Sequence, residues 1–89
     1  MIYPYTAFED ETEVVHTHIF DEDGEEHVEV HFERPCYCGF ESARCDLPSY
    51  RWILRDGFTD KEIENFEGFL KGNAHLIFES AKNKAKERE

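Results

Sequence analysis

The first 33 residues contain no lysine and no arginine, although they contain 11 aspartates and glutamates. The whole chain of 89 residues has 21 acidic and 10 basic residues, and its formal net charge is −11. Phosphate binding needs lysine and arginine, so this charge argues against DNA, RNA and anionic membranes as direct partners. A surface of one sign instead favours a basic protein as the partner.

Long apolar segments are also absent. No apolar run approaches 18 residues, so the sequence predicts no membrane-spanning helix. The first ten residues, MIYPYTAFED, have neither a basic region nor an apolar stretch, and they do not resemble a signal peptide. We therefore expect a cytoplasmic protein.

The common catalytic motifs are missing as well. The sequence has no glycine-rich phosphate loop, no nucleophile elbow and no His-Glu-x-x-His motif. A chain of 89 residues also has little volume for a ligand pocket, which typically takes ~300 Å³ or more. We predict that the protein is not an enzyme.

Cysteine is scarce and odd in number, with three residues, which favours reduced thiols. Cys45 lies in an alternating segment and is predicted to be a small buried hydrophobic residue. Cys36 and Cys38 flank Tyr37 in a loop, and such a pair can bind zinc if a histidine completes the ligands. The usual spacing is Cys-x2–4-Cys and no second pair exists, so we expect no cofactor, with zinc as the alternative.

The length predicts a single domain, residues 1–89. Residues 1–11 are predicted to form an N-terminal arm or a short edge strand. Residues 82–89 are polar on all sides and are predicted to form a frayed helical tail.

Two alternating segments surround an Asp-Gly pair, which predicts a β-hairpin. They run from Thr12 to Phe20 and from Glu25 to Arg34. With Asp23-Gly24 as the turn, Glu22 would face Glu25. In this register the pairs on the inward face are Ile19–Val28, Thr17–Val30 and Val15–Phe32.

A third strand is predicted from Phe40 to Leu47, and its inward residues would be Ala43, Cys45 and Leu47. Its open edge could pair with a second copy in a homodimer. The sequence thus predicts an α+β fold, in which a three-stranded antiparallel sheet is followed by two to three helices packed on one face.

Helix signals follow the third strand. Ser49 is predicted to cap a short helix over Tyr50–Asp56. Thr59 and Glu62 form a capping box that predicts the start of the next helix. Gly72 is predicted to end that helix, and Asn73 to cap another.

Histidines form one candidate site. By parity, His16, His18, His27 and His31 share one face, where His16 would face His31 and His18 would face Glu29. Two such histidines could chelate a transition metal or sense pH, or all four could simply be exposed imidazoles. The candidate metal ligands are His16, His18, His27, His31, Cys36 and Cys38.

The acidic hairpin forms the other candidate site. Carboxylates spaced along strands can replace backbone phosphates in a nucleic-acid-binding groove, whereas a merely solvated acidic surface is the alternative. The candidate partner-binding residues are Asp21, Glu22, Asp23, Glu25, Glu26, Glu29 and Glu33.

Residues 13–19 (EVVHTHI), 27–35 (HVEVHFERP), 39–50 (GFESARCDLPSY) and 73–77 (NAHLI) carry a family resemblance. They resemble a family of short acidic proteins of gut Firmicutes, often carried by mobile elements. The resemblance extends from about Glu13 to Ala81, without the Cys36–Cys38 loop, and brings no catalytic residues. It implies a setting in which small acidic inhibitors of host nucleic-acid enzymes occur.

The leading prediction is a non-enzymatic acidic protein-binding module that mimics nucleic acid. Its partner would be a basic, nucleic-acid-binding enzyme, such as a host defence nuclease that anti-CRISPR or anti-restriction proteins inhibit. The alternatives are a small metal- or pH-responsive domain that uses the histidine face, and an antitoxin-like regulatory partner that binds through a sheet edge.

Overall fold

The computed structural model describes residues 2–37 and 39–87, with side chains as far as residue 84. The described part of the chain forms one antiparallel sheet followed by one helix. The strands are β1 (Ile2–Ala7), β2 (Glu13–Thr17), β3 (Phe20–Glu22), β4 (Glu25–Cys36), β5 (Gly39–Leu47) and β6 (Arg51–Asp56), and the helix is α1 (Asp60–Glu87). The strand order is β1-β2-β4-β5-β6, and β3 pairs with the first residues of β4. The predicted three-stranded sheet with two to three helices is therefore wrong.

The segment predicted as a short helix, residues 50–56, instead contains strand β6. Ser49 does not cap a helix, because its Oγ accepts from the backbone N–H of Arg51 and donates to Asp46. Tyr50 has φ of 60° and turns the chain back along β5. The aromatic and branched residues that follow suit a strand. Since β6 covers β5, the edge expected to be free for a homodimer is occupied.

Helix α1 runs through Gly72, where the sequence predicted a break. The buried residues of the helix keep one stripe across that position: Ile63, Phe66, Leu70, Ile77 and Ala81. One glycine in a helix costs about 1 kcal/mol, which packing of this stripe outweighs. Asn73 is no cap, since its Nδ2 donates to the carbonyl of Phe69 and its Oδ1 accepts from Tyr5.

The start of α1 matches the prediction. Thr59 Oγ1 accepts from the backbone N–H of Glu62 at 3.2 Å, and Glu62 Oε1 accepts from the backbone N–H of Thr59 at 3.0 Å. This reciprocal pair is the capping box expected from the sequence. Within residues 2–37 and 39–87, no helix combines the length and apolar character that a membrane crossing requires.

The predicted Asp-Gly turn is confirmed, but the register beyond it is not. Glu22 faces Glu25, and Asp23 and Gly24 have φ of 53° and 82°, as a tight hairpin turn requires. Further along, His16 faces Val30, whereas His16 was expected to face His31. Three residues separate His16 from Phe20, but two separate His27 from Val30, so the first arm contains one extra residue.

This extra residue reverses the faces of β2. Val14 and His16 are fully buried on the helix side, where Val15 and Thr17 were expected. Ile19, which follows β2 in the chain, packs against the core as predicted. A shift of one residue moves every side chain of a strand to the other face. Strands β4 and β5 follow the prediction, because their inward residues are all fully buried: Val28, Val30, Phe32, Ala43, Cys45 and Leu47.

The core lies between the helix and one face of the sheet. Its centre is the pair Phe32 and Phe66, whose rings stack at a centroid distance of 4.2 Å. Phe8 and Phe69 pack around this pair, with a centroid distance of 5.1 Å between them. We call the opposite side, away from α1, the outer face of the sheet.

Candidate functional site

The strongest concentration of charge is the hairpin turn of residues 21–26, called here the acidic tip. Five of its six residues are carboxylates, and all six are exposed. Pairing of β3 with β4 places Glu22 opposite Glu25 and Asp21 opposite Glu26. Like charges in such positions reduce stability, so the tip depends on its turn and on the residues at its base.

No lysine or arginine neutralises the tip in the part of the chain that the structure describes. None of its five carboxylates forms an ion pair with lysine or arginine there, and Glu25 instead contacts the ring of His27. Two arginines pair with other carboxylates: Arg34 binds Glu41 and Glu62, and Arg55 binds Asp60. The negative field of the tip is therefore open to a partner.

His27 forms the base of the tip on the outer face. Its Nδ1 lies 2.9 Å from both carboxylate oxygens of Asp46, and its Nε2 lies 3.0 Å from Glu25 Oε1. The hydrogen bond to Asp46 raises the pKa of His27 above 6.5, and the charges of Asp46, Glu22 and Glu25 add to the rise. In this arrangement both ring nitrogens donate to carboxylates, which favours the imidazolium form.

Asp46 is the residue that the sequence reasoning missed. It is 4 % exposed, and its Oδ2 also accepts from Ser49 Oγ at 2.6 Å. It lies between two inward residues of β5, Cys45 and Leu47, so parity alone assigns it to the outer face. Its proximity to His27 depends on the β4–β5 register, for which the sequence has no local signal.

His16 lies on the helix side, away from the other histidines. Its Nδ1 donates to the carbonyl of Thr17 at 2.8 Å, because a carbonyl can only accept. Its Nε2 forms a hydrogen bond of 3.0 Å with Ser80 Oγ on helix α1. The prediction that four histidines share one face is wrong, and so is the pairing of His16 with His31.

His31 and His18 are also separate from the tip. His31 shares the outer face with His27, but four strand residues place them about 13 Å apart. Its Nε2 lies 2.8 Å from Glu29 Oε1, so this partly buried glutamate already has a partner. His18 is exposed between β2 and β3 and does not face Glu29. Glu33, another candidate for partner binding, is partly buried opposite Glu13.

The cysteines do not converge in the described residues. Cys36 is exposed and free at the end of β4. Cys45 is free and faces the core, and burial raises the pKa of its thiol to about 12. This confirms its interpretation as a small buried residue. Cys38, the second half of the predicted zinc pair, lies outside the described residues.

No protein-family model matches the chain, and no curated protein or solved structure matches it either. Function must therefore be inferred from the acidic tip and the residues at its base.

Proposed function

We propose that this protein is a non-enzymatic binding module that acts in the cytoplasm by docking its acidic tip onto a basic groove of a partner protein. The observation that supports this function is the group of five exposed carboxylates at residues 21–26, without an arginine or lysine partner in the described structure. Such a surface attracts a basic partner rapidly and binds it in a salt-dependent manner.

The charge density of the tip favours a groove that normally holds nucleic acid. Residues 21–23 and 24–26 run side by side, so the tip extends over about 10 Å at ~3.4 Å per residue. Five carboxylates over that length correspond to one charge per about 2 Å, close to the one per ~1.7 Å of double-stranded DNA. The partner class that follows is a nucleic-acid-binding enzyme, and occupation of its groove would inhibit it, as anti-CRISPR and anti-restriction inhibitors do.

The test is capture of partners from a nuclease-treated bacterial lysate on the immobilised protein, with elution by rising salt. Asp21→Lys/Glu26→Lys removes a cross-strand pair of carboxylates from the tip. Glu64→Lys/Glu79→Lys is the matched control, because it changes the net charge equally at exposed positions of α1. We expect the first variant to lose a protein that the wild type and the control both retain.

A second step separates mimicry from other acidic docking. A short DNA duplex added to the captured complex should release the partner, because duplex and tip compete for one groove. Release by salt alone, with none by the duplex, would contradict the nucleic-acid groove. Equal retention by both lysine variants would contradict a role for the acidic tip.

A further inference from the structure

We propose that Glu22, His27 and Asp46 form a binding site for a divalent transition-metal ion of the zinc class at the base of the acidic tip. The three residues come from three strands, β3, β4 and β5, and each offers one ligand atom. Those three atoms all lie within 4.8 Å of one another. Of these three residues only His27 was among the metal ligands expected from the sequence, which were His16, His18, His27, His31, Cys36 and Cys38.

The donor set suits such an ion. Zn²⁺ accepts one imidazole nitrogen and two carboxylate oxygens as ligands, with water at a remaining position. Ligands at ~2.0–2.2 Å from a tetrahedral ion lie about 3.4 Å apart. His27 Nδ1 and Asp46 Oδ1 lie 2.9 Å apart, so they must separate by about 0.5 Å, and the exposed side chain of Glu22 must move towards them.

The two buried ligands are already held in place. Asp46 is 4 % exposed and accepts from Ser49 Oγ through Oδ2, which leaves Oδ1 for the ion. His27 is 8 % exposed, and the ring of Phe20 stacks on it at 5.8 Å. Metal ions bind pre-positioned ligands of this kind more tightly than flexible ones.

The contact of His27 Nε2 with Glu25 is a separate reason to expect a metal ion at Nδ1. A histidine that binds a metal usually donates its other N–H to a carboxylate, which fixes the ring and its tautomer. Glu25 Oε1 lies 3.0 Å from Nε2 in that position. On metal binding, Nδ1 would release its proton to solvent and bind the ion through its lone pair, while the bond from Nε2–H to Glu25 persists.

Glu22 distinguishes a metal site from a simple ion pair. The Asp46–His27–Glu25 contacts account for both ring nitrogens without it. In the described residues the Glu22 carboxylate has no hydrogen bond or ion pair, yet one of its oxygens lies within 4.8 Å of the ligand atoms of His27 and Asp46. An ion pair alone does not need this third carboxylate, whereas a metal site does.

The experiment is calorimetric titration of the full chain with Zn²⁺ alone, in a Cys36→Ser/Cys38→Ser background that removes thiol ligands. We expect one bound equivalent, and affinity at least about tenfold lower in Glu22→Gln and in Asp46→Asn. Glu26→Gln and His18→Gln are the controls, since they change a neighbouring carboxylate and an exposed histidine, and both should bind as the parent does.

Ring ¹⁵N spectra provide an independent measurement. Zn²⁺ should shift the Nδ1 resonance of His27 and leave Nε2 protonated. Glu22 is exposed, so its glutamine variant keeps the fold and the comparison remains valid if the Asp46 variant is unstable. The proposal is overturned by no binding in the parent, by equal affinity in Glu22→Gln, or by Zn²⁺ shifts at another histidine.

Discussion

Arg34 Nε donates to Glu41 Oε1 at 2.7 Å and so joins the far ends of β4 and β5. The same guanidinium also binds Asp10 from the β1–β2 connection and Glu62 from the start of α1. The Cζ atom of Arg34 lies 4.8 Å from the centre of the Phe58 ring. One cation thus joins three carboxylates from different parts of the fold, at the end of the sheet opposite the acidic tip.

Arg34→Met should lower the free energy of unfolding by roughly 2 kcal/mol, since it leaves three carboxylates without their shared cation. Arg55→Met is the control, because its partner Asp60 is almost fully exposed, and such pairs contribute about 0–1 kcal/mol. Urea unfolding of both variants measures the difference. Equal losses would show that the Arg34 cluster adds nothing beyond surface charge.

Acid should destabilise the protein partly through Glu62. Hydrogen bonds from Arg34 and from the Thr59 backbone lower the pKa of Glu62 from its ordinary 4.5. Because the pKa of Glu62 is lower in the folded than in the unfolded protein, its ionised carboxylate stabilises the fold above pH 4.5. This stabilisation is lost as the pH falls through the pKa of Glu62 in the folded protein. Glu62→Gln keeps the capping-box geometry and should flatten the decline in stability below pH 4.5. Urea unfolding from pH 6 to pH 3 measures this effect. An equal decline in the free energy of unfolding in the wild type and in Glu62→Gln would contradict the role of Glu62.

Gly57→Ala should destabilise the fold by about 1–3 kcal/mol. Gly57 has φ of 94°, and an added Cβ would lie 2.7 Å from Cγ of Glu41, whose carboxylate Arg34 holds. Gly68→Ala is the matched control in α1, where an added Cβ meets nothing within 4 Å. Its better helix propensity should raise stability by about 1 kcal/mol, so thermal melts should shift in opposite directions.

Glu26→Lys should raise stability while it weakens partner binding. The change converts the opposed carboxylates of Asp21 and Glu26 into an ion pair, worth roughly 0.2–1 kcal/mol. If the acidic tip had only a structural role, weaker partner capture would be expected only together with a lower melting temperature. Melting temperature and partner capture, measured on the same preparation, should instead move in opposite directions.

Features that depend on neighbouring residues could be predicted from the sequence. The Asp23-Gly24 turn and the Thr59–Glu62 capping box are local, and both are present. Features that depend on distant partners could not. The polar ring of His16 faces the core because Ser80, 64 positions away, satisfies its Nε2, and no local pattern in β2 reveals that hydrogen bond.

The difference between local and long-range features also explains why the helix boundaries were predicted wrongly and why Asp46 was not predicted as part of the site. Gly72 breaks many isolated helices, but here the buried stripe on both sides of it decides the outcome. His27 could be selected as a candidate ligand because of its residue type. Asp46 and Ser49 lie near His27 only because of the register between β4 and β5. The residues at the base of the acidic tip therefore could not be predicted before that register was known.

The order of the elements has a consequence for synthesis on the ribosome. Residues 2–56 supply the whole sheet, and their connections are short antiparallel turns, so the sheet can assemble as it emerges. The helix that covers its apolar face is made after the sheet, and its 28 residues take about 1–6 s at 5–20 residues per second. During that interval Val30 and Phe32 remain uncovered, and the nascent chain is most exposed to chaperones and to aggregation.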